Sequence, residues 1–95
     1  MIVDQRGNEV VLGNPYLYIF GRPGPDVTLL IAKSFTEEGK VLCQDCFFEF
    51  EIEVVPGELF QRYQYQWGQH EIDAVKKFGG NYQFMVDHNN SLASH

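Results

Sequence analysis

Long apolar runs and a targeting segment are both missing from this sequence. No apolar stretch approaches the roughly 18 residues that a membrane-spanning helix needs. Residues 1–6 are not the basic region followed by an apolar run that marks a secretory signal peptide. These two absences predict a cytoplasmic protein with no membrane partner.

Cysteine is scarce, and the two that occur, Cys43 and Cys46, cannot form the multi-bridge framework of a small secreted domain. Their CxxC spacing is also found in zinc and redox sites. Zinc needs a second ligand pair, and none lies at a short spacing; a redox motif needs a helix N-terminus, whereas this one enters a predicted strand. We therefore expect two packed, inert thiols on opposite faces of the strand, with no metal and no cofactor.

Basic residues are outnumbered, and the acidic excess is confined to one segment. The chain has 13 acidic residues against 7 lysines and arginines, and residues 37–58 account for the whole net charge of −6. Without a basic stripe the chain cannot neutralise a row of phosphates, which argues against nucleic acid as a partner. The charge favours a basic protein surface instead. The charged residues of the segment are Glu37, Glu38, Lys40, Asp45, Glu49, Glu51, Glu53 and Glu58.

Catalytic motifs are absent as well. The chain has no glycine-rich phosphate loop and no serine, cysteine or lysine at a recognisable spacing from a base. His70 and Glu71 do not begin an HExxH motif, because Ala74 occupies the position of the second histidine. We therefore expect that the protein is not an enzyme.

One short stretch resembles a nuclease motif. Pro25-Asp26, followed by Glu38-Gly39-Lys40, resembles the PD…(D/E)xK pattern of metal-dependent nucleases. The resemblance covers five residues and would imply two carboxylates on a Mg²⁺ ion with a lysine beside the attacking hydroxide. That pattern places its second half on a strand, whereas these three residues have the composition of a turn. The sequence favours loop and turn roles for all five.

The length allows one hydrophobic core. Folding a chain of this size buries roughly 65% of the surface that the unfolded chain exposes, which is sufficient without metal or disulfide bridges. We expect a single globular domain over residues 1–86 and a polar, frayed tail over residues 87–95.

Alternating β-forming residues predict most of the fold as a sheet. The clearest alternation lies in residues 45–55, where phenylalanines interleave with glutamates. It predicts one strand with an apolar face on the core and an acidic face in solvent. The inward set is Phe48, Phe50, Ile52 and Val54, and the outward set is Glu49, Glu51 and Glu53. The other predicted elements are a hairpin over 2–12, strands at 16–20, 27–35 and 82–86, a proline-rich loop at 21–26 and a turn at 36–40.

The period of the pattern changes after Pro56. Apolar residues in 57–67 suit a helix, although tyrosines alternating with glutamines there also suit a strand; Pro56 at the start favours the helix. A second helical stretch covers 70–78. The expected fold class is α+β: an antiparallel, meandering sheet of five to six strands, with one or two helices in about 57–78 packed on one face.

Two groups of residues are candidates for contact with a protein partner. The glutamates form an acidic face that would steer a basic partner, and tyrosine and tryptophan are residue types that carry interface energy. The candidates are Glu49, Glu51, Glu53, Tyr63, Tyr65 and Trp67. The helical spacing of Tyr63 and Trp67 equally fits packing of these two side chains in the core.

The leading functional hypothesis is a small acidic, non-enzymatic interaction module that binds a basic protein surface, as an inhibitor, an immunity-type protein or an accessory regulatory protein. One alternative is a small-molecule-binding domain with an aromatic-lined apolar pocket, because 15% of the residues are aromatic. Another is a metal or thiol protein built on the CxxC pair. A homodimer formed through an uncovered edge strand is compatible with each of them.

Overall fold

The protein is an α+β structure with a four-stranded antiparallel sheet and two helices. We describe it from a computed structural model that covers residues 1–20 and 26–94. Among these residues, neither helix is both long enough and apolar enough to cross a membrane. The strands lie side by side in chain order. The elements are β1 (Pro15–Phe20), β2 (Asp26–Phe35), β3 (Val41–Asp45), β4 (Glu51–Val54), a 3₁₀ turn (Pro56–Glu58), α1 (Gln69–Lys77) and α2 (Tyr82–Ala93).

The first two strands and the hairpin after them lie where the sequence predicts them. The turn at 36–40 closes with a 2.9 Å hydrogen bond from the Thr36 N–H to the Lys40 carbonyl. Gly39 has a φ of +81°, a conformation that glycine adopts without steric cost. Of the loop predicted at 21–26, all residues except Asp26 lie outside the described part of the chain.

Both faces of the sheet are buried against other parts of the chain. On one face, the loop face, the side chains of the strands pack against loops; on the other, the helix face, they pack beneath the helices. The loop-face cluster is Val10, Tyr16, Leu30, Ala32, Val41, Cys43, Val54 and Leu59. The helix-face cluster is Leu17, Leu29, Ile31, Cys46, Trp67, Ile72, Val75 and Met85.

Residues 45–55 do not form the single strand that their alternation predicts. The strand breaks because the buried Asp45 carboxylate accepts hydrogen bonds from the N–H groups of Phe47 and Phe48, both at 2.8 Å. These bonds turn the chain, so β3 ends at Asp45 and β4 begins only at Glu51. The turn contains no glycine or proline, so its composition indicates a strand.

The hairpin predicted over 2–12 is a loop with one isolated bridge, between Val3 and Glu9. The Asp4 carboxylate accepts the N–H groups of Arg6 and Asn8 at 2.9 and 3.0 Å, and these local bonds curl the chain. The expectation of five to six strands is therefore too high, since the sheet has four.

Residues 82–86 were also expected to be a strand, but they begin α2, and 87–93, assigned to a polar tail, continue it. Asn81 caps this helix by accepting the Phe84 N–H at 3.2 Å. The strand preference of these residues is outweighed by the cap and by the packing of Met85, which is fully buried on the helix face.

The helix expected over 57–67 does not form. Helical structure there is limited to the 3₁₀ turn at Pro56–Glu58, after which Phe60 pairs with Leu17 of β1 through hydrogen bonds of 2.6 and 3.0 Å. Those bonds occupy backbone groups that a helix would use internally. The second predicted helix is confirmed as α1.

The junction between the two helices lies very close to β2. A Cβ atom on Gly80 would stand 2.6 Å from Ile31 Cδ1 and 2.7 Å from Val75 Cγ1. Only glycine allows this approach without a shift of the packed side chains.

Trp67 is anchored on the helix face by Asn89 of α2. Its backbone N–H donates to the Asn89 side-chain oxygen at 2.7 Å, and its backbone carbonyl accepts from the Asn89 side-chain N–H at 3.0 Å. This pair of bonds fixes the irregular segment before α1 to α2.

We predict that Asn89→Ala lowers the free energy of unfolding by about 1–3 kcal/mol, because it leaves two backbone groups of Trp67 without partners. Asn90→Ala is the matched control, since the exposed Asn90 side chain makes no such bond. Urea denaturation of both variants measures the difference. Equal stabilities would show that Asn89 does not anchor Trp67.

Candidate protein-binding surface

Strand β4 is an edge strand whose outer side is open. The Asp45 N–H donates to the Phe50 carbonyl at 2.8 Å, and this bond sets the alternation along β4. The backbone groups of Ile52 therefore face β3, and those of Glu51 and Glu53 face away from the sheet. Within the described residues, these outward groups have no backbone partner.

The opposite edge of the sheet, β1, is covered over much of its length. Leu17 exchanges two backbone hydrogen bonds with Phe60. Pro15 has no N–H to satisfy, and its carbonyl accepts the Gln61 side-chain N–H at 3.0 Å. The two edges therefore differ in how much unpaired backbone they present.

All three candidate glutamates are exposed, as predicted, but they do not form one row. Glu51 and Glu53 share a face of β4 and form no ion pair within the described residues. Glu49 precedes the strand with a φ of +61°, and its carboxylate is 2.9 Å from the Lys77 ammonium of α1. This exposed pair contributes little stability, but it neutralises Glu49 locally.

Other carboxylates of the acidic segment are engaged elsewhere. Asp45 is 1% exposed and accepts a 2.8 Å hydrogen bond from the Thr28 hydroxyl in addition to the two bonds of the turn. Burial raises the pKa of Tyr18, and the neighbouring Glu58 carboxylate, hydrogen-bonded to it, raises it further. On β4, Glu51 and Glu53 are therefore the carboxylates that remain available to a partner.

The expectation that Phe48 and Phe50 pack inward is wrong. They are 61% and 45% exposed, and their ring centroids lie 6.4 Å apart. The turn held by Asp45 interrupts the strand, so these two rings do not follow the alternation. Ile52 and Val54 lie in β4 itself, and they are partly and fully buried, as that alternation predicts. Asp45 is a residue type that often begins a turn, and it was the one sequence feature that indicated a turn here. The β-forming phenylalanines after it indicated a strand more strongly.

The tyrosines and Trp67 are not part of the same surface as the glutamates. Tyr63 and Tyr65 are 64% and 73% exposed and line a cleft beside Leu17, at the β1 edge. Trp67 is only 2% exposed, so its assignment to a binding surface is wrong. Its indole belongs to the helix-face core, where packing with the helices excludes it from a partner.

A cleft of about 520 Å³ lies between residues 61–64 and α2. Its lining mixes apolar and polar side chains, namely Gln61, Arg62, Tyr63, Gln64, Phe84, His88, Ser91 and Leu92. The Arg62 guanidinium is already paired with Glu71 at 3.0 Å.

Cys43 and Cys46 lie in different hydrophobic clusters, Cys43 on the loop face and Cys46 on the helix face. This confirms the expectation that the thiols point apart. Burial raises the pKa of each thiol to about 12, and the nearby Asp45 carboxylate contributes to the shift at Cys46. Across residues 1–20 and 26–94, no three histidine, cysteine or acidic side chains are grouped so that they could hold a metal ion.

The residues that resemble the nuclease motif are separated by a whole strand. Asp26 begins β2, whereas Glu38 and Lys40 lie in the turn after its other end. A strand of 10 residues places its ends about 30 Å apart, too far for two carboxylates to share one ion. Pro25 lies outside the described residues.

We found no match to this chain among protein-family models, curated proteins or solved structures.

The raised thiol pKa values predict slow alkylation and a defined dependence of stability on pH. Iodoacetamide should modify Cys43 and Cys46 far more slowly in the folded protein than in denaturant, because the thiolate is the reactive form. The thiols ionise near their ordinary pKa of 9.0 when unfolded and near 12 when folded. The unfolding free energy should therefore fall as pH rises from about 9 towards 12.

Mass spectrometry of alkylated protein and urea denaturation across this pH range measure both effects. Replacement of both cysteines by alanine is the control, and it should flatten the part of the pH dependence that the thiols cause. Rapid alkylation of the folded protein at neutral pH would contradict this account of the thiols.

Proposed function

We propose that this protein is a small, non-enzymatic interaction module that binds a basic surface of another protein through β4 and the turn before it. The observation that carries the proposal is the combination of exposed phenylalanines with carboxylates and a strand edge that have no partner among residues 1–20 and 26–94. We call this the β4 surface, and it consists of Phe48, Phe50, Glu51 and Glu53.

The apolar part of the β4 surface supports a protein partner. Phe48 and Phe50 are large side chains that remain 61% and 45% exposed, and they lie at one turn. Isolated apolar side chains are common on surfaces, but neighbouring aromatic side chains with a polar rim are typical of interfaces. Burying both rings against a partner would remove apolar area from water and strengthen binding.

The charged part of the β4 surface favours a partner with a positively charged surface. Glu51 and Glu53 project from the same face of one strand, where like charges repel. Lysine or arginine side chains of a partner would relieve this repulsion and accelerate the encounter at low salt. The chain carries a net charge of −6, so its overall field acts in the same direction.

The same considerations rank the alternatives. A small apolar ligand would need an enclosed aromatic pocket, and the cleft of about 520 Å³ beside α2 has a mixed polar and apolar lining instead. Chelation through the CxxC pair would require thiols that meet, whereas Cys43 and Cys46 belong to separate clusters. Tyr63 and Tyr65 remain candidates for a secondary contact at the β1 edge. A cytoplasmic setting and an inhibitory, immunity-type or accessory role remain parts of this proposal.

The proposal is tested by capture followed by kinetics with matched variants. Glu51→Gln/Glu53→Gln removes two charges from the β4 surface, and Asp73→Asn/Asp87→Asn removes two exposed charges from the helices. Phe48→Ser is matched by Phe35→Ser, because Phe35 is also exposed but lies at the far end of β2. Immobilised wild type and variants are compared for proteins retained from a lysate at low and high salt.

We predict that a specific partner is lost with the β4-surface variants and retained with their controls. With that partner purified, the double glutamate variant should slow association about tenfold at low salt, with a smaller effect at high salt. Phe48→Ser should mainly accelerate dissociation. If the β4-surface variants and their controls bind alike, the proposed function is wrong.

A further inference from the structure

We infer that the partner binds by adding an extended strand to the open edge of β4, and that the added segment alternates basic with apolar residues. This inference rests on the proposed function and specifies the kind of segment that the β4 surface binds. The open backbone groups of β4 indicate the added strand, and the side chains of β4 indicate its alternating sequence.

The backbone of β4 offers four outward-facing groups, the N–H and the C=O of both Glu51 and Glu53. None of them has a backbone partner within the described residues. Backbone groups are strong donors and acceptors, and an extended peptide can satisfy all four with its own ladder. The edge is also accessible, because the side chains on either side of these groups are exposed or partly exposed.

The side chains of β4 determine the pattern of the added strand. Residues directly opposite each other in neighbouring strands share a face of the sheet. Basic residues of the partner would therefore lie opposite Glu51 and Glu53. Apolar residues would alternate with them and lie beside Phe50 and Ile52, which line a small cavity on the loop face with Tyr18.

A second copy of this chain is a poor occupant of the same edge. Both copies would contribute the backbone groups of Glu51 and Glu53, so two-fold antiparallel pairing would place glutamates opposite glutamates. Like charges directly opposite each other destabilise a strand pair. Charge complementarity therefore favours a basic segment of another protein over a homodimer through β4.

A synthetic peptide of about seven residues, a common strand length, in which lysine alternates with valine provides the probe. Its control has the same composition in block order, with the lysines together and the valines together. Two further peptides carry backbone N-methyl groups on every second residue, in one phase or the other. Only one of these phases places the methyl groups against β4.

The matching change in the protein is Glu53→Pro, compared with Glu53→Gln. Both remove the same charge, but only proline removes the outward N–H. Proline is tolerated on an edge strand when its nitrogen faces away from the sheet, and circular dichroism checks that the fold persists. If Glu53→Pro does not fold, the two N-methylated peptides answer the same question with the wild-type protein.

We expect the alternating peptide to bind at low salt at least about tenfold more tightly than the block peptide, since both can form backbone hydrogen bonds to β4 but only the alternating one then sets its lysines opposite both Glu51 and Glu53. One N-methylated peptide should lose this advantage and the other retain it. Glu53→Pro should weaken binding about fivefold relative to Glu53→Gln, as the loss of one such bond requires. In isotope-edited spectra, the Glu51 and Glu53 amides should become protected from exchange.

Equal binding of the alternating, block and both N-methylated peptides would overturn strand addition, and it would leave an electrostatic contact consistent with the proposed function. No measurable binding of the alternating peptide would also overturn this inference. The function proposed for the β4 surface would then be judged separately, by the captured partner and its charge and phenylalanine variants.

Discussion

Two backbone hydrogen bonds between Leu17 and Phe60 tie the segment that follows β4 to the far edge of the sheet. An open antiparallel sheet has two edges, and each presents unpaired backbone groups that must be solvated, covered or used. The chain covers the β1 edge with Phe60 and Gln61, and in the part that the structure describes it leaves β4 without a neighbour on its outer side. The same bonds keep this segment from becoming a helix and lead it towards Trp67, which Asn89 fixes to α2.

At the other end of β4, the Asp45 carboxylate has a comparable role. It lies almost entirely out of solvent and accepts bonds from Thr28, Phe47 and Phe48. A buried carboxylate is unfavourable unless such donors surround it, so the turn and the carboxylate depend on each other. This turn exposes the rings of Phe48 and Phe50 next to the glutamates of β4. The β4 surface thus depends on two sets of hydrogen bonds that flank a four-residue strand: those of the Asp45 carboxylate before it and those between Leu17 and Phe60 after it.

The sequence indicated those elements whose pattern and packing agree. Strands β1 and β2, the glycine turn after β2 and helix α1 have consistent local signals, and the glutamates are exposed as their alternation predicts. The errors arise where a side chain makes bonds that composition does not encode. Asp45 turns a stretch of β-forming phenylalanines, Asn81 caps a helix that begins with Tyr82, and Phe60 gives its backbone groups to β1. Trp67 was assigned to a surface because residue type alone does not distinguish an interface anchor from a core residue.

The central claim is that β4 has an open edge whose outward groups belong to Glu51 and Glu53. Amide hydrogen exchange of the free protein, followed residue by residue by NMR, tests it most directly. The account predicts slow exchange at Ile52 and Val54, whose N–H groups face β3 in this register, and fast exchange at Glu51 and Glu53. Comparable protection of all four amides in the free, monomeric protein would show that this edge is already covered, and it would contradict the account.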